Sequence, residues 1–467
     1  MDNLTIVILA AGLGTRMKSK KAKVLHEAGG LALVEHVVNS AVELAGAGRT
    51  FVVVGRQAEQ VETALASRGV GFVRQHEQLG TGHALRVCRE RVAPLGGDVM
   101  VLYGDCPLLS VATLRRLREL ERTSNAAATV ITTVLENPFG YGRILRDQDG
   151  SVRAIVEQKA GTPEQLAVRE VNSGIYCFRG DLLWKYLETV EPNKAVGEVY
   201  LTDVVELFRK AGHPVYPMLL EDPTEVLGIN TREDLAVVDA AFRRRKVHQL
   251  MLDGVTIEKP ETVTIDMGVE IGIDTVVEPF ARILGRTVIG EDCRIGACSI
   301  IRDSVIASEV DVRPFTTIEA SRLERGTQVG PYARLRMNAH VQPGASVGNF
   351  VELKNTELGA GAKAHHLAYL GDATIGGAVN IGAGTITCNY DGLRKHRTKI
   401  GEGAFVGSNS TLVAPVEIGE GSYVGAGSVV TEPVPAEALA LGRARQINKA
   451  DWARKRRETQ AEQRGAK

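Results

Sequence analysis

Aromatic residues are scarce in this chain, since Phe, Tyr and Trp make up 5% of its 467 residues. Net charge is missing as well, because 56 basic residues (Lys and Arg) balance 56 acidic ones (Asp and Glu). A chain without a basic excess lacks the field that would attract nucleic acid or a membrane surface as its main partner. Its apolar runs are too short for a membrane span, and its start, residues 1–3, lacks the basic residues of a secretory signal. We therefore expect small-molecule partners, no nucleic acid and no membrane.

Cysteine is also infrequent, and its spacing excludes the usual metal and disulfide patterns. The sequence contains no C-x-x-C pair and no Cys/His cluster of zinc spacing. The six cysteines are Cys88, Cys106, Cys177, Cys293, Cys298 and Cys388. Unpaired thiols are typical of a reducing compartment, so we expect a cytoplasmic protein.

Two different patterns divide the chain, whose length exceeds the size at which one hydrophobic core stops growing. In residues 1–230, apolar strand-like runs such as 51–54 and 99–102 alternate with amphipathic segments such as 114–120. This alternation predicts a Rossmann-like α/β domain with a largely parallel sheet. Such a sheet binds its ligands at the carboxyl ends of its strands.

A charged amphipathic segment, residues 231–250, follows this domain and contains the basic run 243–246. The run is compatible with a nucleic-acid patch, but a single short basic run is more often the solvated face of a helix. We therefore predict a linker helix.

Beyond the linker, aliphatic residues recur at every sixth position, which indicates a parallel β-helix with three hexads in each triangular coil. These positions are Ile306, Val312, Ile318, Leu323, Val329, Leu335, Val341, Val347, Ile400, Val406, Leu412, Ile418, Val424 and Val430. A polar segment, 387–399, interrupts the repeat and is expected to leave the stack as a loop. The pattern resembles the left-handed β-helix of acyltransferases. It predicts that fold for residues 251–437, followed by a charged tail, 438–467.

The run LAAGLGTRM, residues 9–17, follows an apolar run and is typical of a phosphate-binding turn before a helix with free N–H groups. Met17 excludes both the dinucleotide fingerprint and the P-loop, which require glycine at this position. Together with Lys23, the run resembles the signature of nucleotide-diphospho-sugar pyrophosphorylases, in which Arg and Lys surround a nucleotide triphosphate.

The two domain types and their motifs together resemble, over nearly the whole chain, the bacterial bifunctional N-acetylglucosamine-1-phosphate uridylyltransferases and glucosamine-1-phosphate N-acetyltransferases. The resemblance implies acetylation of glucosamine-1-phosphate from acetyl-CoA, followed by transfer of UMP from UTP to the product. This would give pyrophosphate and UDP-N-acetylglucosamine, a source of cell-wall precursors. The resemblance also implies Mg²⁺ as cofactor, UTP and acetyl-CoA as co-substrates, and a homotrimer.

For the first domain, the resemblance implies Arg16 and Lys23 as catalytic cations, with Asp105 and Asn230 binding Mg²⁺. The residues expected to hold UTP are Leu9, Ala10, Ala11, Gly12, Lys23, Gln75, Gly80, Thr81, Tyr103 and Asp105. Those expected to hold the sugar phosphate are Gly140, Glu157, Asn172 and Asn230.

For the second domain, the resemblance makes His366 the base that deprotonates the amine of glucosamine-1-phosphate. His365 stands where the family usually has glycine, and the spacing to Tyr369 selects His366, because neighbouring strand residues face opposite sides. The residues implied for the sugar phosphate here are Arg336, Lys354, Tyr369 and Asn380. Those implied for acetyl-CoA are Ala383, Asn389, Tyr390, Ser408, Ala426 and Arg443.

Two more positions depart from the family pattern, since Ala22 and Met337 each replace a usual proline. The change at Ala22 is expected to loosen the loop before Lys23. Two other functions stay open at this point: a single-activity sugar-nucleotide pyrophosphorylase with a β-helix for assembly, and a non-catalytic assembly subunit. The catalytic cations and the histidine base argue against the non-catalytic subunit.

Overall fold

The computed structural model describes residues 3–159, 161–193 and 197–465 of the chain. The chain divides into two compact units, which are Met1–Arg245 and Lys246–Lys467. The first contains a nine-stranded mixed sheet, and the second is a left-handed parallel β-helix built from three sheets. Both fold types are those predicted. The helix Arg232–Leu252 contains the point of division and covers the segment for which a linker helix was predicted.

The first unit alternates strands with helices, as its hydrophobic pattern predicts. Its strands are β1 Leu4–Leu9, β2 Glu27–Ala28, β3 Leu31–Ala32, β4 Thr50–Val54, β5 Gly71–Arg74, β6 Asp98–Tyr103, β7 Ala128–Val134, β8 Arg143–Arg146, β9 Val152–Val156, β10 Glu170–Phe178 and β11 Val215–Leu220. Its helices are α1 Leu33–Ala45, α2 Ala58–Leu65, α3 Thr81–Arg86, α4 Arg89–Val92, α5 Val111–Ser124, α6 Pro163–Leu166, α7 Gly180–Leu187, α8 Thr202–Lys210 and α9 Arg232–Leu252.

The main path through the sheet runs in the order β11-β7-β10-β6-β1-β4-β5, and the β8–β9 hairpin joins it through β10. β1 pairs in parallel with β4 and β6, and β11 pairs in parallel with β7. On the main path, β10 runs antiparallel to its neighbours β6 and β7. Every residue of β1 is buried, as expected of a parallel strand covered on both faces. The carboxyl ends of β1, β4 and β6 therefore meet at one edge.

The segment after β1 differs from the expected turn and helix. A 3₁₀ turn, Thr15–Met17, and a second one, Lys23–Leu25, stand in place of the helix, and α1 begins only at Leu33. Met17 is 2% exposed, so its side chain fills the space that a fingerprint glycine would leave for close helix packing. The turn therefore offers ligands its irregular backbone and the side chains around it, not the start of a long helix.

The β-helix confirms the predicted period, because its strands pair in parallel with the strand three places further along the chain, except that Tyr423–Val424 pairs with Leu439–Ala440, two places further. One sheet contains Thr256–Ile257, Val276–Val277, Arg294–Ile295, Asp311–Val312, Gln328–Val329, Ser346–Asn349, Lys363–His366, Asn380–Ile381, Phe405–Val406, Tyr423–Val424 and Leu439–Ala440. The second contains Thr264–Ile265, Arg282–Leu284, Ile300–Arg302, Thr317–Glu319, Arg334–Arg336, Glu352–Lys354, Tyr369–Gly371, Ile386–Cys388, Thr411–Val413 and Val429–Val430. The third contains Glu270–Ile271, Val288–Ile289, Val305–Ile306, Arg322–Leu323, His340–Val341, Glu357–Leu358, Ala373–Ile375, Thr398–Ile400 and Val416–Ile418.

The predicted hexad residues form the buried column of this unit, and all fourteen of them are at most 6% exposed. The polar interruption is shorter than expected, because Ile386–Cys388 and Thr398–Ile400 remain strands and only residues 389–397 leave the coil. The last coil strand, Leu439–Ala440, lies inside the segment predicted as a tail, and helix α10, Trp452–Gly465, follows. Within the described ranges, no helix has both the length and the apolar character needed to cross a membrane.

The buried column predicts at which positions a smaller side chain destabilises this unit. Replacing Ile301, which is 0% exposed, by alanine is expected to lower the free energy of unfolding by about 2–5 kcal/mol, because it removes transfer energy and leaves a cavity. The matched control is Ile273→Ala, since Ile273 is 50% exposed and its loss should cost about 0.5 kcal/mol. Denaturant unfolding followed by circular dichroism measures the free energy of unfolding of both variants. Equal losses in the two variants would contradict the inward position of Ile301.

Candidate active sites

A cavity of about 310 Å³ opens at the carboxyl ends of β1 and β6 in the first unit. All ten residues predicted to hold UTP line this cavity. Val24, Gln78, Ala84 and Glu198 complete its lining. Glu198 was not predicted, because it lies in a loop far along the chain that carries no recognisable motif. The cavity thus collects segments that are distant in sequence around one volume.

A charged cluster stands at one side of this cavity and contains the predicted catalytic and metal-binding residues. Lys23 Nζ donates to Asp105 Oδ2 in an ion pair and to Asn230 Oδ1 at 3.3 Å. Arg16 Nη2 donates to the same Asn230 oxygen at 2.9 Å. The backbone N–H of Ile229 donates to the carbonyl of Asp105 at 3.0 Å, which brings Asn230 to the end of β6. Asn230 therefore lies with the two cations.

The backbone before Lys23 holds this side chain in place. Gly14 has a φ of +60°, and a Cβ atom there would lie 2.6 Å from Lys23 Cβ, so the turn needs glycine both for its conformation and for the close approach. Ala22 has φ −54° and ψ 139°, values that proline also adopts. The replacement of the family proline at this position therefore leaves the local backbone in a proline-like conformation.

Other polar groups that line the cavity are held by neighbouring backbone. Gln75 is 4% exposed, and its Nε2 donates to the carbonyl of Gly80 at 3.2 Å. Gln78 Nε2 donates to the carbonyl of Gln75 at 3.2 Å. Burial raises the pKa of Tyr103, so its phenol stays protonated at neutral pH. These side chains therefore present neutral hydrogen-bonding groups, in contrast to the charged cluster.

Glu157 and Asn172, both predicted to hold the sugar phosphate, flank the same glycine. A Cβ atom at Gly142 would lie 3.5 Å from Glu157 Oε1 and 3.7 Å from Asn172 Cβ. Burial raises the pKa of Glu157, and the nearby Asp203 carboxylate raises it further. Gly140 lies two residues away on the turn before β8, at a φ of +88°. These three predicted residues thus meet beside β10.

The second unit places a buried ion pair where the sugar phosphate of the acetyl site is expected. Lys354 is 6% exposed, and its Nζ donates to Asp372 Oδ2 at 3.2 Å. Burial opposes the ionisation of Asp372, but hydrogen bonds from Asn355, Asn389 and Lys354 together lower the pKa of its carboxyl. No role was predicted for Asp372, because a sequence does not show that it lies beside a lysine 18 positions away.

Two residues of the excursion that leaves the coil, 389–397, join this ion pair. Asn389 was predicted to contact acetyl-CoA, yet its side chain is buried, and its Nδ2 donates to Asp372 at 2.5 Å and to the Tyr369 hydroxyl at 3.5 Å. The side chain of Lys395 lies beside Lys354, and a hydrogen bond with Lys354, followed by the positive charge of that lysine, lowers the pKa of Lys395. The structure therefore adds a second cation to this pocket.

Arg336 lies on the strand next to Lys354, in direct register with it. Its Nε donates to Glu352 Oε1 at 2.7 Å, which holds the guanidinium. Met337 follows at a φ of +54°. Proline is locked near −65°, so the usual family residue does not fit this turn as it stands in the structure.

His365 and His366 are both exposed, and their partners distinguish them. His366 Nδ1 donates to Asn349 Oδ1 at 2.8 Å, which leaves Nε2 as the unprotonated nitrogen of a neutral ring. His365 Nε2 lies 2.7 Å from Ser346 Oγ. Burial, and then the neighbouring His366, lower the pKa of His365. Asn349 was not predicted, because it lies one coil before the histidine.

The residues predicted for acetyl-CoA, apart from the two in the excursion, lie along one edge of the coil. Ala383, Ser408 and Ala426 each stand two residues after the end of a strand, and the three strands are neighbours in one sheet. Asn380 belongs to the first of these strands. The side chain of Arg443 lies near the next turn, since a Cβ atom at Gly427 would be 3.8 Å from its Cδ. Tyr390 of the excursion is 60% exposed.

Comparison with known protein families agrees with both units. Residues 6–163 match the MobA-like NTP transferase domain. Residues 268–303 and 397–432 match the bacterial transferase hexapeptide (six repeats). An α/β unit that matches an NTP transferase domain and a β-helix that matches transferase hexapeptide repeats together define a nucleotidyltransferase joined to an acyltransferase.

Whole-chain relatives narrow this class to one family. The bifunctional protein GlmU of Solibacter usitatus is 60% identical to this chain, over 97% of each sequence. The GlmU proteins of Koribacter versatilis and Enterococcus faecalis are 48% and 46% identical over 97% of this chain and 97% and 99% of their own. The chain belongs to the bifunctional GlmU family. It is a bifunctional enzyme, a uridylyltransferase and an N-acetyltransferase, and neither a single-activity pyrophosphorylase nor an assembly subunit.

The contact between Gly14 and Lys23 predicts a selective loss of one activity. Gly14→Ala is expected to destabilise the protein by about 1–2 kcal/mol and to lower uridylyl transfer at least tenfold, because the added methyl group displaces Lys23. The matched control is Gly69→Ala, since Gly69 has a similar φ, +69°, but its Cβ would meet only Ala47 Cβ at 3.8 Å. Thermal unfolding and a pyrophosphate-release assay compare the two variants. Full uridylyl transfer in Gly14→Ala would contradict the positioning role.

Proposed function

We propose that the cavity beside β1 and β6 binds UTP, and that the adjacent cluster of Arg16, Lys23, Asp105 and Asn230 promotes uridylyl transfer. One observation carries this proposal: the ten residues expected to contact UTP, from well-separated segments, all line one volume. The cavity also offers groups of the required kinds, since Lys23 and the side-chain amides of Gln75 and Gln78 line it. Side-chain amides offer both a donor and an acceptor, as the edge of uracil requires.

The proposed reaction forms a bond from a phosphate oxygen of N-acetylglucosamine-1-phosphate to the α-phosphorus of UTP. The bond from that phosphorus to the bridging oxygen breaks, and pyrophosphate leaves with the electron pair. The nucleophile is already an anion, so the protein needs to position the groups and neutralise charge more than to move a proton. Arg16 and Lys23 neutralise the phosphates. Asn172 and Glu157 hold the sugar.

Mg²⁺ is part of this proposal, with Asp105 and Asn230 as its protein ligands. Their oxygens fit the ion in kind and position, since a carboxylate and an amide oxygen contact the same Lys23 ammonium. Protein-bound Mg²⁺ typically takes one or two such oxygens and completes its shell with water and phosphate. In the part of the chain that the structure describes, no group of three His, Cys, Asp or Glu residues could hold a metal, which is consistent with ligands shared with substrate. When bound, the ion would offset phosphate charge.

For acetyl transfer, we propose that His366 Nε2 takes a proton from the ammonium of glucosamine-1-phosphate. The free amine then attacks the thioester carbon of acetyl-CoA, a C–N bond forms and the C–S bond breaks, and the thiolate of CoA receives the proton that the nitrogen loses as it becomes an amide. Lys354, Lys395 and Arg336 would bind the sugar phosphate. The hydrogen bond to Asn349 supports this role, because it holds the ring with Nε2 free to accept.

A homotrimer formed through the β-helix is proposed as the working assembly. An exposed aromatic ridge supports association, since Phe315, Tyr332 and Phe350 stack with ring centroids 5.0 and 5.3 Å apart and are 49–56% exposed. Exposed apolar ridges of this kind are typical of interfaces. A cytoplasmic location is also proposed, and the six free cysteines support it.

Single substitutions are expected to separate the two activities. His366→Ala should lower acetyl transfer about 10²- to 10⁴-fold and leave uridylyl transfer unchanged, because only the acetyl step needs a base. Asp105→Ala should lower uridylyl transfer and leave acetyl transfer unchanged. Mass spectrometry of products from glucosamine-1-phosphate, acetyl-CoA, UTP and Mg²⁺, with each component omitted in turn, measures both steps. His365→Ala is the matched control and should retain both acetyl transfer and uridylyl transfer. Loss of both activities in either active-site variant would refute two independent sites.

Truncation tests the assembly. A chain that ends before residue 250 is expected to be a monomer that retains uridylyl transfer, because the cavity and the charged cluster lie wholly in the first unit. Light scattering and a pyrophosphate assay, run beside the full chain, measure mass and activity. A truncated chain with the same oligomeric state as the full chain would exclude the β-helix as the trimerising element.

A further inference from the structure

A β-bulge in β10 lies next to the nucleotide cavity. The register of β10 against β7 shifts between Asn172 and Tyr176, and Gly174 between them has a φ of +81°. A Cβ atom at Gly174 would lie 2.6 Å from the ring of Tyr103, which lines the cavity. Bulges of this kind re-aim side chains beside active sites.

The bulge brings together two side chains that a regular strand would hold apart. Residues four positions apart in a strand are separated by about 13 Å. Here the Tyr176 hydroxyl donates to Asn172 Oδ1 at 2.9 Å. The backbone N–H of Gly174 donates to the same oxygen, also at 2.9 Å. Both lone pairs of the amide oxygen are therefore used within the protein.

This pairing decides which end of the Asn172 amide is available to a ligand. The Nδ2 group has no hydrogen-bond partner within the described residues, so it is free to donate. Tyr176 is 1% exposed, and its ring stacks on Phe178 with centroids 5.1 Å apart. Burial also raises the pKa of Tyr176, so the hydroxyl keeps the proton that it donates.

We propose that Tyr176 is a positioning residue for uridylyl transfer. Its hydroxyl holds the Asn172 amide so that only N–H donors face the sugar, which restricts this contact to an oxygen acceptor such as a hydroxyl or an acetamide carbonyl. This rests on the proposed function, which places the sugar phosphate at Asn172. Tyr176 itself does not touch the substrate.

Tyr176→Phe tests the role, because it removes the hydroxyl and keeps the stacked ring. The KM for N-acetylglucosamine-1-phosphate should rise about fivefold to tenfold, the usual effect of losing one hydrogen bond. The KM for UTP and the rate of acetyl transfer should not change. Tyr186→Phe is the matched control, since this tyrosine packs edge-on against Phe208 in the same unit, away from the bulge. It should leave every constant unchanged.

A double-mutant cycle with Asn172→Ala separates positioning from a general structural role. If Tyr176 acts through Asn172, the double variant should be no worse than Asn172→Ala alone. The inference is overturned if Tyr176→Phe leaves the sugar KM unchanged, raises the UTP KM equally, or adds its full effect to that of Asn172→Ala. If Asn172→Ala itself leaves the sugar KM unchanged, the proposed sugar site fails, and the role of Tyr176 fails with it.

Discussion

The ion pair between Lys23 and Asp105 is the contact on which the first active site depends. Each side chain is about one-seventh exposed, so solvent screens the pair only in part. It joins the turn after β1 to the end of β6, and its third partner, Asn230, adds the segment before α9. The approach of Lys23 in turn requires glycine at position 14. Several distant segments therefore meet at one charged cluster, and the cavity that we propose for UTP opens beside it.

The candidate acetyl site depends on the repeating coils of the β-helix, whereas the first site depends on a single ion pair. Each coil returns the chain to the same edge after about 18 residues, which brings Lys354 beside Asp372 and His366 beside Asn349. The buried aliphatic column supplies stability, so the outward positions are free to carry charge and hydrogen-bonding groups. The excursion from the coil adds Asn389 to the same pocket. A regular scaffold thus supports an irregular, polar groove.

Much of this architecture could be predicted because local patterns determine it. The alternation of strands and helices predicted the sheet of the first unit, and the hexad period predicted fourteen residues of the buried column, which also contains others such as Ile301 and Leu353. The excursion was predicted too long, because Thr387, Thr398 and Lys399 look polar in sequence but pair as strands. The prediction of a helix directly after β1 was also wrong, because packing that the local sequence does not show decides the conformation there. Packing of Met17 in the core favours a 3₁₀ turn, and neighbouring residues in the sequence do not reveal that packing.

The sequence by itself determined which kinds of residue are present and the period at which they recur, and these set the two folds and the family. The tertiary structure decided which polar groups meet. Asp372 acquires its role from a lysine one coil away. Tyr176 acquires its hydrogen bond to Asn172 from a bulge that shortens the strand between them. Both contacts depend on backbone geometry over distances longer than any local pattern, and for that physical reason only the folded chain shows them.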